Sequence, residues 1–125
     1  HDEMIDMLTS IAGNQVKGVI HCFTGSIQQL ENYLALGLYI GITGWVCDER
    51  RGLSLQQAVP SIPLDRLLLE TDAPYLLPRT IRPRPKKNHP KYLPWVAEEV
   101  AKLTGITQQE LAKQTVINSK RLFAL

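Results

Sequence analysis

The chain has 125 residues, a formal net charge of +2 and a 44% hydrophobic composition. That is the make-up of one small domain with an ordinary core, and it excludes a disordered or low-complexity chain. No stretch approaches the roughly 20 consecutive apolar residues of a membrane span, and so small a net charge says nothing by itself about nucleic acid.

In chain order, residues 2–11 place Met4, Ile5, Leu8 and Ile11 at helical spacing, and Gly13 and Asn14 end the segment. The opening is acidic and amphipathic and does not read as a signal peptide. A strand is expected over 18–23. Ser26 is placed to cap a helix running to Leu36, with Ile27, Leu30, Tyr33 and Leu34 on one face and Gly37 as terminator. A strand over 38–44 follows, then an irregular stretch and a short helix near 54–58. Pro60 and Pro63 mark the loop into a strand over 67–72. Helices near 93–104, 107–114 and 116–123 complete the chain. Strands alternating with helices argue for a parallel sheet with right-handed crossovers.

Two of these strands end in residues able to bind metal: the run Gly18-Val19-Ile20 stops at His21, and Leu67-Leu68-Leu69 stops at Glu70-Thr71-Asp72. A buried parallel strand that delivers a ligand at its C-terminal end is how a β/α barrel builds a site. An imidazole and a carboxylate so placed could share a divalent ion. The bland readings are a satisfied core histidine for His21 and a turn or N-cap for Asp72, since Asp-Ala-Pro is good turn chemistry. Strand period 2 sorts the neighbours. If His21 faces inward, so do Val19 and Phe23, while Ile20 and Cys22 face the helices. If Asp72 faces inward, so does Glu70, about 6.5–7 Å below it. Glu70 then either orients a ligand through an internal polar network or is satisfied by backbone and water near the floor. Thr24, Ser26 and Thr43 could contact phosphate or cap loops, and Trp45 could stack on a base or pack under a loop.

Between Arg79 and Lys91 the basic residues Arg79, Arg82, Arg84, Lys86, Lys87 and Lys91 occur with no acid among them, interleaved with Pro83, Pro85 and Pro90. A charge run is usually a solvated face. This one leaves the strand end that carries Asp72, where it could grip a phosphate backbone and make binding salt-dependent. Cys22 and Cys47 form no close-spaced motif and read as reduced thiols of a cytoplasmic protein.

The strings Gly18-Val19-Ile20-His21-Cys22-Phe23-Thr24-Gly25-Ser26 and Leu67-Leu68-Leu69-Glu70-Thr71-Asp72-Ala73-Pro74-Tyr75 resemble the C-terminal half of the TatD-type metal-dependent deoxyribonucleases. The loop around Lys87-Asn88-His89-Pro90 and the ending at Asn118-Ser119-Lys120-Arg121 fit the same pattern. The resemblance implies an α/β fold, the C-terminal half of a TIM-type (β/α)8 barrel of the metal-dependent hydrolase superfamily. Residues 1–125 would be a partial barrel of about the last three strands with their helices, the N-terminal half being absent. Length agrees, because a closed barrel needs about 250 residues.

The resemblance further implies hydrolysis of DNA phosphodiesters, as a 3′–5′ exonuclease on single strands, with Mg²⁺ or Mn²⁺ and Zn²⁺ tolerated. His21 and Asp72 match metal ligands, and Asp72 is the candidate general base. Arg84, Lys86, Lys87, Asn88 and Trp45 are the candidate substrate contacts, with Lys87 where the family places Arg. The family's His-x-His pair has no counterpart among His1, His21 and His89, and His1 matches a non-ligand histidine. The chain alone is therefore expected to be inactive and to self-associate through exposed edges unless the other half covers them. Two alternatives stand beside this reading. One is another metal-dependent hydrolase on the same barrel, acting on an amide, lactone or small phosphoester; the other is a non-catalytic half-barrel.

Overall fold

The computed structural model describes residues 18–123, so the expected helix over 2–11 and His1 lie outside the described residues. Three parallel strands form one sheet in the order β1 (Val19–Ile20), β2 (Tyr39–Ile42) and β3 (Leu67–Leu69). Val19 pairs with Tyr39, and Gly41 with Leu68. Around the sheet lie α1 (Ile27–Ala35), a 3₁₀ turn (Gly44–Cys47), α2 (Leu53–Ala58), α3 (Leu93–Thr104) and α4 (Gln108–Phe123).

The strands read as apolar runs because the middle one is covered on both faces; all four residues of β2 are buried. On one face Ile20, Ile40, Ile42, Leu67 and Leu69 join the main core with Leu30 of α1 and Val96 and Val100 of α3. On the other, Val19, Tyr39 and Leu68 pack with Leu122. Gly41 and Glu70 continue that second face upward, as period 2 requires.

Ser26 caps α1 in a full capping box: its hydroxyl accepts from the Gln29 amide at 3.3 Å, and Gln29 Oε1 accepts from the Ser26 amide at 3.0 Å. Such a cap contributes about 1 kcal/mol. Gly37, at a φ of 81°, ends the segment as expected. Thr43 caps the 3₁₀ turn through Trp45 N. The capping alternative is thus the one the structure displays for both hydroxyls.

Three expectations need correction. The strands are shorter than their apolar runs, although single bonds (Phe23 N to Gly41 O, 2.9 Å; Glu70 N to Ile42 O, 2.8 Å) extend the pairing upward. Phe23 does not share the face of Val19. Cys22 has a φ of 53°, and this left-handed residue reverses the alternation, sending Phe23 into the helix-side core edge-on to Tyr33. Helix α4 is one helix, not two. No Gly or Pro interrupts it, and Thr115, where a break was expected, returns its hydroxyl to Ala112 O at 3.1 Å.

Candidate metal centre and its basic rim

His21 and Asp72 sit just beyond the C-terminal ends of β1 and β3, where parallel strands release their side chains from the core. The two meet: His21 Nε2 lies 3.2 Å from Asp72 Oδ1. The other ring nitrogen, Nδ1, lies 2.6 Å from Glu70 Oε2, and the same carboxylate oxygen accepts the Cys22 amide at 3.2 Å. Glu70 therefore makes both contacts left open by its position, one to the imidazole and one to backbone. Its carboxylate occupies the space over Gly41, where any Cβ would fall on it.

The Glu70 side chain is 19% exposed, against 53% for His21 and 42% for Asp72. The hidden acid grips the ring from beneath while the open face carries the other nitrogen and Asp72. The hydrogen bond to Asp72, then the charge of Glu70, raise the imidazole above its ordinary pKa of 6.5. Imidazole nitrogen and carboxylate oxygen are hard-to-borderline donors suited to one divalent ion. Among the described residues no group of three or more His, Cys, Asp or Glu is arranged to hold a metal ion: Glu70 is turned to the far ring nitrogen, and His21 Nε2 and Asp72 are the two donors on the open side.

The loop after Asp72 is pinned by Asn88, which is buried. Its amide group donates to Tyr75 O at 2.8 Å and, at 3.4 Å, to Leu76 O and Thr71 Oγ1; its own N–H reaches Pro74 O. The Asn88 amide, expected to contact substrate, donates here to loop carbonyls and shapes the rim from within. Arg79 forks onto Glu49, which holds that carboxyl down at about 2. Arg82 and Arg84 donate to backbone carbonyls, and Lys86 and Lys87 are exposed.

Sequence reasoning passed over Asp48, Arg50 and Arg51. The Asp48 carboxylate is buried and accepts the backbone amides of Arg50 and Arg51 as well as both guanidiniums. Burial alone would raise its pKa, but those hydrogen bonds outweigh it and hold the group well below the usual carboxylate range. The signal was present as Asp followed by a four-residue turn ending in Gly52. Arg51 stacks on Trp45, 4.6 Å from the ring centroid, so one face of the indole is already occupied.

Both cysteines are free. Cys22 Sγ lies 3.3 Å from Thr43 Oγ1, while burial raises the Cys47 thiol to about 11 and leaves it inert. No helix among the described residues is long and apolar enough to cross a membrane.

The chain is 53% identical over 127 residues to the "3'-5' ssDNA/RNA exonuclease TatD" of Erwinia tasmaniensis, covering 100% of this chain and 49% of that protein. The crystal structure of YJJV, a TatD homolog from Escherichia coli K12, superposes with a TM-score of 0.86 at 30% identity, over 100% of this chain and 47% of that one. A TatD family hydrolase from Entamoeba histolytica shares the fold at a TM-score of 0.81 and 21% identity, over 97% of this chain and 46% of that one. The chain thus spans about half the length of the relatives it matches. The described sheet and helices are part of a TIM-type barrel of this hydrolase group. The family model for TatD related DNase matches residues 1–124, and the chain belongs to that family.

Proposed function

We propose that this chain contributes to a metal-dependent nuclease that hydrolyses phosphodiester bonds of single-stranded nucleic acid from the 3′ end. The observation that carries the reading is His21 held between Glu70 and Asp72 at the open strand ends. The name of the Erwinia tasmaniensis relative supports the substrate class.

In this reading His21 Nε2 and Asp72 hold a divalent ion, Mg²⁺ or Mn²⁺, with Zn²⁺ also suited to the imidazole. Such an ion, when bound, supplies Lewis-acid polarisation of the phosphodiester and an activated water. Glu70 fixes the ring by accepting from Nδ1, so that Nε2, which faces Asp72 here, is the nitrogen that would hold the ion once its proton is displaced. Asp72 accepts the proton of the attacking water. Lys86, Lys87 and Arg84 draw the strand in through its phosphates, and the part of Trp45 left exposed between the core and Arg51 offers a base an edge to contact.

Two donors do not hold a catalytic ion firmly, so the remaining ligands come from the part of the barrel that this chain does not span. The same part covers the edges of β1 and β3 and the apolar groove of Leu69, Leu93, Ala97, Ala112 and Val116. Without it, the 125-residue chain is expected to self-associate and to be inactive. The free thiols suit a reducing, cytoplasmic setting.

The test is a chimera joining this chain to the half of the Erwinia tasmaniensis protein that it does not match. Mn²⁺-dependent release of mononucleotides from a 5′-labelled oligo(dT) is expected, with none in EDTA. A folded chimera that cleaves an amide or lactone but leaves oligo(dT) intact would overturn the reading.

A further inference from the structure

The turn after β2 and the loop after β3 enclose a cleft of about 250 Å³ whose lining includes Trp45, Asp48, Arg50, Arg51, Arg79 and Arg84. We propose that it is a second phosphate subsite, taking a phosphodiester of the same single strand beyond the one at Asp72. This deepens, and rests on, the nuclease reading above.

The charges are matched unevenly. Asp48 faces both Arg50 and Arg51, at 3.4 and 3.2 Å, so one carboxylate anchors two guanidiniums. Glu49 takes Arg79. Arg84 contributes a further cation to the lining, and its Nη2 donates to a backbone carbonyl, Arg79 O, at 3.3 Å. The cleft is left with surplus positive charge from groups that are already oriented. The Arg51 fork lies against the indole with its side chain still 60% exposed, and the buried Asp48 holds it there. A guanidinium fixed this way presents donors for bidentate phosphate contact and loses little further freedom on binding.

Position connects the cleft to the strand ends. Its wall is Gly44 against Leu76, packed so closely that a Cβ on Gly44 would strike the Leu76 carbonyl. Leu76 lies four residues after Asp72, a reach of at most about 14 Å. On the other side Thr43, next to Gly44, touches Cys22, the neighbour of His21. Phosphates recur about every 3.4 Å or more along a strand. A strand with one phosphate at Asp72 therefore carries another within reach of Arg51 and Arg84.

The test is fluorescence anisotropy of a 5′-labelled dT8 titrated with the chimera described above in EDTA, at several salt concentrations, each substitution being made in that chimera. The variants are Arg84→Ala, the double Arg51→Ala/Arg84→Ala, and Lys113→Ala as a remote exposed cation on α4, with circular dichroism checking each fold. We expect the double variant to bind at least tenfold more weakly and its log–log salt slope to fall by about 1.4, two single-strand contacts' worth. Arg84→Ala, whose side chain meets only a carbonyl, keeps the fold and should lose about threefold; Lys113→Ala should lose less than twofold. If wild type binds dT8 and the arginine variants lose no more than Lys113→Ala, the subsite is wrong while the nuclease reading stands. If wild type fails to bind dT8 even at low salt, both fall.

Discussion

The two ends of β3 are both finished by polar side chains brought from distant parts of the chain, and they are finished in opposite ways. Below, Asn118 of α4 is fully buried; its amide donates to Leu64 O at 2.6 Å and Leu67 O at 2.8 Å, and Gln114 donates to its carbonyl at 2.9 Å. Above, Glu70 and Asp72 converge on His21 with the ring and Asp72 open to solvent. The lower end is dry and satisfied, and it locks helix to sheet. The upper end keeps donors facing outward and so can accept a ligand. A barrel divides stability from chemistry between these two faces, and a single three-residue strand here shows both.

The largest effect should come from Asp72→Asn in the chimera. Loss of charge and basicity at a near-isosteric residue should lower hydrolysis about 10³-fold or more while the melting temperature holds. An unfolding mutant would blur the contrast between the ends; an active one would break it. Gly41→Ala acts one step further from the chemistry. The new methyl must displace the Glu70 carboxylate, releasing the ring from beneath, and Mn²⁺ affinity should fall about 10- to 100-fold. Calorimetric titration checks this.

At the lower end, Asn118→Ala leaves two strand-end carbonyls without their donor and should cost about 2–4 kcal/mol in urea unfolding. Activity per folded molecule should not change, which is the sharpest statement that the two ends do different work. The smallest effect concerns pH. Hydrogen bonds lower the Asp48 pKa in the folded state, so its stabilisation is present above the unfolded value near 3.9 and is lost as pH falls through the folded one. Asp48→Asn should therefore narrow the gap in melting temperature between pH 7 and pH 3.

The upper end was legible in the sequence because strand period 2 is rigid. Once Asp72 was taken inward, Glu70 had to follow; Gly41 beneath it emerged only with the strand register. Helix α1 was legible to its ends, since Ser26, Gln29 and Gly37 state the caps locally. What stayed hidden depended on single backbone angles or on contacts distant in sequence. One left-handed residue, Cys22, moved Phe23 to the other side of the sheet, and no local pattern marks a non-glycine for that conformation. Asn88 was expected to contact substrate because the resemblance placed it beside the site; its amide donates instead to carbonyls twelve and thirteen residues earlier. Asn118 entered the sequence reading only within the ending that fits the family pattern; its structural role was hidden because the carbonyls it caps, Leu64 O and Leu67 O, lie more than fifty residues away. The Asp48 turn was readable as a turn, but the buried carboxylate gathering two arginines was not.

The central claim is that His21 and Asp72 hold a divalent ion and that Glu70 aims the imidazole at it. Mn²⁺ titration of the chimera, followed by electron paramagnetic resonance at fixed pH, tests this most directly. Glu70→Gln should weaken binding about 10- to 100-fold and His21→Ala more than that, with the melting temperature of the metal-free protein unchanged in the Gln variant. Wild-type Mn²⁺ affinity in a folded His21→Ala protein would contradict the account.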